Sequence, residues 1–219
     1  MKKKYVKIFT LSFFTLLALS ITSCIGVGMD IQMNSDGSGR IVLEYKISTM
    51  LLNLGGLDGN ASMPSIPIDR KDWENTIEGI SGLRLVSHSS STVSDNWIIN
   101  AILEFDNTES LLKFLDPSCE SASITRTNQS GKFNIILWNN NEYDSSSLSL
   151  MRTMFDGYNF SVSFTAPGNS AMIVTDGRGN QITSPSSAAL AASGRKSSLS
   201  IGMYEMISLT DGFGVSFNW

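Results

Sequence analysis

One imidazole, two thiols and a scatter of carboxylates are the residues of this chain that could do chemistry. The imidazole, His88, sits in Ser87-His88-Ser89-Ser90-Ser91, and a histidine beside a serine has the parts of a base and its nucleophile. Neighbours in a strand point to opposite faces, however, and the sequence has no Gly-x-Ser-x-Gly elbow. His88 is therefore expected to be a surface residue in a polar turn near a hairpin end. The acid pairs Asp69/Asp72 and Asp106/Glu109 stand at predicted helix starts, where capping and the helix dipole account for them, and no glycosidase pair stands apart from them. Asn34 to Gly39 has the look of a calcium loop, but in that register Gln32 takes the first ligand position and Leu43 the twelfth, where acids are needed. Gly177-Arg178-Gly179 reads as a turn. Cys119 with one other cysteine and one histidine cannot assemble a Cys/His metal site. It is expected to pack as a small apolar thiol near a helix end, with an intermolecular disulfide as the alternative. No catalytic, cofactor-binding or metal-ligating residue is predicted, and the chain is expected not to be an enzyme.

The second thiol has a more telling setting. Lys2, Lys3, Lys4 and Lys7 precede a mostly apolar run from Ile8 to Ile21, and Ser20, Thr22 and Ser23 lead directly into Cys24. A spanning helix needs ~20 apolar residues, so the run is short for a permanent anchor and suits the apolar part of a signal peptide. Ile21-Thr22-Ser23-Cys24 resembles the lipobox of bacterial lipoproteins: branched aliphatic, small, small, cysteine. The resemblance implies cleavage between Ser23 and Cys24, a lipid thioether on Cys24 and acylation, with palmitate among the fatty acids. Residues 1–23 are thus expected to be a lipoprotein signal peptide and 24–219 a single domain anchored in the cell envelope on the exported side of a bacterial membrane, as in the periplasm.

Losing residues 1–23 removes four of the 16 basic residues and none of the 20 acidic ones, leaving 12 against 20 and a net charge of −8. An acidic domain without a basic cluster is repelled by phosphate backbones, which excludes nucleic acid as a partner. The 196 residues that remain are enough for one domain.

The elements of that domain follow from periodicity. Val27, Met29, Ile31 and Met33 alternate with polar or small residues, Asn34 to Gly39 turn the chain, and Ile41, Leu43, Tyr45 and Ile47 resume the alternation, which predicts a hairpin. Asp69 is expected to cap a helix carrying Trp73, Ile77 and Ile80. A second hairpin is expected to turn at Ser89–Asp95 and return through Trp97, Ile99, Ala101, Leu103 and Phe105. Asp106 with Glu109 resembles a capping box for a helix stopped by Pro117. Strands near 121–127 and 133–138, a helix over 146–155 and a strand from Tyr158 to Thr165 follow. Ala171–Thr175 and Gln181–Thr183 flank a turn; residues 184–198 read as a weak helix or a flexible loop; the chain closes on an alternating strand from Phe213 to Trp219. One-sided alternation predicts an α+β fold of mostly antiparallel sheets built from hairpins, with about three short helices on one face and an order of elements that permits a ferredoxin-like core.

The lipobox, a first hairpin of the form aliphatic-x-aliphatic-Asn-x-Asp-Gly-Ser-Gly, the late Phe164-Thr165-Ala166-Pro167-Gly168 and the closing Val215-Ser216-Phe217-Asn218-Trp219 together resemble the LppM-type domain of bacterial envelope lipoproteins. That resemblance implies an α+β envelope domain and carries over no catalytic residue. The stretch 49–68, with Met50, Leu51, Leu52, Leu54 and Met63 among glycines and prolines, is too apolar for an idle loop and too broken for a long helix. Those five side chains are the expected apolar contacts. The expected function is a non-enzymatic, lipid-anchored domain that binds an apolar small molecule or an envelope protein. The alternative is a surface-exposed lipoprotein that meets a host, as an adhesin or antigen, and an enzyme of unknown type stands third.

Overall fold

Alternation decides which strands meet. In the computed structural model, which describes residues 25–48, 67–94, 96–118, 120–127, 130–139 and 145–219, β1 (Ile25–Met33) and β2 (Gly39–Ser48) pair antiparallel with Met29 opposite Leu43. Gly37, at φ +92°, makes the turn between them, and a β-carbon there would lie 2.6 Å from the Arg126 guanidinium. β3 (Leu83–Val93) and β4 (Asn96–Phe105) form the second hairpin, and β4 pairs with β2. β7 (Asn159–Thr165) runs parallel to β1, and β9 (Ala189–Ser193) with β10 (Lys196–Gly202) completes a seven-stranded sheet in the order β3-β4-β2-β1-β7-β10-β9. A second sheet has the order β5-β6-β11-β8, built from β5 (Ala122–Arg126), β6 (Gly131–Trp138), β8 (Ala171–Thr175) and β11 (Phe213–Asn218).

The dry faces of the two sheets share one core. Phe164 on β7 lies 5.3 Å from Phe133 on β6 and 5.2 Å from Phe217 on β11, ring centre to ring centre. β11 is buried at every residue from Phe213 to Phe217, as the central strand of a covered sheet must be. Helices supply the rest of the cover. Trp73 of α1 (Arg70–Ile77) is buried and stacks obliquely on Tyr45 of β2. Leu111 of α2 (Thr108–Leu115) is buried in the same core. α3 (Ser145–Met154) packs against α4 (Met203–Ser208), whose Met206 and Ile207 are buried. The chain is thus α+β with mostly antiparallel sheets, as its alternation predicts; β1–β7 is a parallel pair.

Several boundaries differ from expectation for local reasons. The second hairpin keeps its strand to Val93, with Ser94 at φ +53° after it, so residues 89–93 are strand. The second capping role falls to Asn107, whose side chain accepts from Ser110 N–H at 2.9 Å, because Asp106 is taken by Arg84 at 3.3 Å. Residues 184–198 are neither helix nor flexible loop: most of them form the β9–β10 hairpin. Alanine and serine are poor strand formers locally, and here pairing to β7 decides. The order that permits a ferredoxin-like core is divided between the sheets, because β5 leaves for the smaller one.

Candidate functional site

The face of the large sheet turned away from the core carries an open concavity. Paired residues on neighbouring strands share a face, so the registers give its floor directly. One row runs Val42–Asp30–Ser163–Ser198–Ala191, and the next runs Glu44–Gly28–Ser161–Ser200–Ala189. Every residue from β1 to β9 in these rows is glycine, alanine or serine except Asp30. With no long side chains between Glu44 and the β9 edge, the twisted sheet leaves an open hollow of about 490 Å³. Its surface is mostly methyl and methylene, with hydroxyls at intervals.

The charge at its floor is held from one side only. Lys196 Nζ donates to Asp30 Oδ2 at 2.6 Å. Asp30 Oδ1 is buried and has no hydrogen-bond partner among the described residues. A bound molecule with a hydroxyl or amide N–H over that oxygen would satisfy it, and an apolar body would cover the Gly/Ala/Ser rows. The hollow holds no histidine, cysteine or tyrosine; its serine hydroxyls stand among Asp30, Glu44 and Lys196.

The chemistry-bearing residues of the sequence are placed elsewhere. His88 is in β3 rather than a turn and is half-buried, and its Nε2 donates to the Ile68 carbonyl at 3.0 Å. Asp69 and Asp72 are spent on each other's backbone: Asp72 N–H donates to Asp69 Oδ1 at 2.8 Å and Asp69 N–H to Asp72 Oδ2 at 3.2 Å. Glu109 lies 2.9 Å from Lys113, and its side-chain bond with that ammonium, helped by the charge, holds its carboxyl below the usual range. The Asp36 carboxyl accepts from Ser38 Oγ and N–H, which lowers its pKa. Asp176 is lowered likewise by Asn180, first through the amide side chain, and Gly177-Arg178-Gly179 is the turn it braces. Among the described residues no three His, Cys, Asp or Glu side chains gather as a metal site would require. No described helix is long and apolar enough to cross a membrane.

Ser23, Cys24 and Cys119 lie outside the described residues, as do the apolar contacts Met50, Leu51, Leu52, Leu54 and Met63. The ends of the 49–66 segment are nonetheless fixed. It leaves β2 at Ser48, and it rejoins at Pro67, whose carbonyl accepts from the Tyr45 hydroxyl. Burial pushes that hydroxyl's pKa up, and the Asp72 carboxylate adds to the rise, so it remains a donor. Sequence reasoning missed the hollow. Its signal was present in Asn159, Ser161, Ser163 and Thr165, the wet side of β7, but the serines and alanines of β9 and β10 were not read as strands. No protein-family model and no curated protein matches the chain.

Proposed function

We propose that this protein is a bacterial lipoprotein, held to a membrane through an acylated Cys24, whose α+β domain binds an apolar ligand or another envelope component. The observation that carries the anchor is the basic start, short apolar run and Ile21-Thr22-Ser23-Cys24, followed at once by β1, which begins at Ile25 and lies in the middle of the seven-stranded sheet. A cysteine at that place has no spacer behind it, so a lipid on it would hold the large sheet close against the bilayer. Two or more acyl chains give stable attachment, whereas one gives only marginal binding. The resemblance to LppM-type domains agrees with this reading and belongs to it.

The binding half rests on the outer-face hollow. Its methyl- and hydroxyl-lined floor, with one free carboxylate oxygen, suits a ligand that is largely apolar and carries a donor at one end. The anchor is tested in a bacterial host by labelled-palmitate incorporation and detergent-phase partition. Wild type should label and enter the detergent phase, and Cys24→Ala should do neither. Persistent labelling of Cys24→Ala would overturn the lipoprotein reading.

A further inference from the structure

We propose that β9 is a strand-addition edge and that its occupant is β9 of a second copy of this chain, paired antiparallel about a two-fold axis at Ala191. The other sheet edges carry guards over part of their length, although Ser89–Val93 of β3 is as exposed as β9. β3 has a bulge between Leu85 and Ser87 and is overlaid by α1, with His88 tied to Ile68. β5 ends in Arg126, which reaches the Ser35 and Asp36 carbonyls. β8 is covered where Ile182 N–H donates to the Val174 carbonyl at 3.0 Å and Gln181 bridges Thr175. β9 has none of these guards. Its five residues, Ala-Leu-Ala-Ala-Ser, are all exposed and include neither charge nor proline, and Leu190 is 44% exposed. Natural edges are protected by such devices because bare ones pair with other strands.

For a second copy, the hydrogen-bonding pattern of β9 selects one register. Gly194, at φ +57°, begins a two-residue turn between Ser193 and Lys196, and in such a hairpin the flanking pair exchanges hydrogen bonds. The alternation then sends the amides of Ser193, Ala191 and Ala189 toward β10 and those of Leu190 and Ala192 outward. Arg195 agrees, since its carbonyl faces β7 and accepts from Ala166 N–H at 2.9 Å. A second β9 can use both outward residues only when Leu190 meets Ala192 of the copy, which puts the axis at Ala191. An axis at Leu190 would need Ala188, whose N–H already donates to Pro185. An axis at Ala192 would need Gly194, whose carbonyl already accepts from Ser170 N–H. At the Ala191 axis the two facing side chains are methyl groups, and the strand brings no like charges together. Ala189 and Ala191 also line the hollow, so the two hollows join into one trough across the axis.

Five paired residues a side bury well under the ~1,200 Å² of a standard stable interface, so the affinity is micromolar or weaker. The test uses the full chain in detergent. In a Cys24→Ser/Cys119→Ser background, Ala191→Cys should oxidise to a covalent dimer, because the Cα atoms of such a non-hydrogen-bonded pair are ~4.5 Å apart, within disulfide reach. Lys71→Cys, on exposed α1, should not. In sedimentation at about 100 µM the wild type should run as a dimer. Ala192→Pro, which removes only an outward N–H and is tolerated on an edge, should run as a monomer with an unchanged melting temperature. If proline disturbs the strand, Ala191→Lys serves instead, placing two ammonium groups at the axis on the solvent side. A monomeric wild type in which position 191 crosslinks no better than position 71 overturns the proposal. So does a monomer whose Leu190 and Ala192 amides are protected by an added extended peptide, since the occupant would then be a partner's strand.

Discussion

Lys196 and Asp30 are joined over the top of a strand that belongs to neither. Nζ and Oδ2 are 2.6 Å apart, with β7 running between β10 and β1 beneath them. The pair therefore cross-braces three strands at one end of the hollow. The lysine is half exposed and the aspartate about a quarter, so solvent screens the attraction. A double-mutant cycle with Asp30→Asn and Lys196→Met, read by urea unfolding, should give a coupling of about 0.2–1 kcal/mol. A coupling several times larger would mean that the pair is part of the core rather than a surface brace.

Gly131 and the chain's last residue form a second cross-brace, and here space is the constraint. Gly131 N–H donates to the Trp219 carbonyl at 2.8 Å and Trp219 N–H to the Gly131 carbonyl at 3.0 Å. A β-carbon on Gly131 would lie 2.1 Å from Trp219 Cζ2, and the indole is backed by Phe164 at 5.4 Å. Gly131→Ala should cost about 1–3 kcal/mol as the ring is driven from its seat. In a Trp219→Ala background the same substitution should cost far less. Equal losses in both backgrounds would place the effect in the backbone instead.

Asp116 predicts where acid begins to weaken the fold. It ends α2 and tethers the start of β5, accepting from Ser121 N–H at 2.5 Å, Ala122 N–H at 2.9 Å and Ser118 Oγ at 2.6 Å. Burial pushes its pKa up, but those three donors outweigh it and hold the carboxyl below its ordinary value. A folded-state pKa that is depressed means stability present above the unfolded value of ~3.9 and lost as pH falls through the folded one. Asp116→Asn should therefore destabilise the protein at neutral pH and flatten the decline in stability below about pH 4. An acid limb identical to wild type would show that Asp116 has no part in it.

The legible part of this fold is the part written in alternating large side chains. β1, β2, β4, β7 and β11 each place an apolar residue at every second position, nearly all of them bulky, and the pattern gives both the strand and its dry face. Asp69 announced α1 because its carboxylate has one local partner, the Asp72 N–H. Asp106 misled because a distant arginine, Arg84 on β3, competes for it, and periodicity carries no information about such a partner. The β9–β10 hairpin was illegible for a related reason. Its strand character comes from β7, through pairs such as Leu199 with Val162, and its own alanines and serines favour no single state. The outer-face hollow inherits that blindness, because half of its floor is on those two strands.

Ligand binding divides between two places, and substitution can separate them. Ser161 stands in the middle of a row with Gly28 on one side and Ser200 on the other, so an indole placed there can lie flat over small neighbours without entering the core. Ser161→Trp should leave the melting temperature unchanged and abolish uptake of a fluorescent fatty acid. The leucines of the 49–66 segment offer the other place, since each such side chain gains ~1.5–3 kcal/mol when it leaves water. Changing Leu51 and Leu54 together to serine should weaken fatty-acid binding less than Ser161→Trp does if the hollow is the site. Binding lost only in the Leu51/Leu54 variant would move the ligand to that segment. A large loss of stability in that variant, with binding per folded molecule intact, would make the leucines core rather than contact. A wild type that takes up no apolar probe at all would sink the apolar-ligand reading and leave an anchored domain whose partner is another envelope protein.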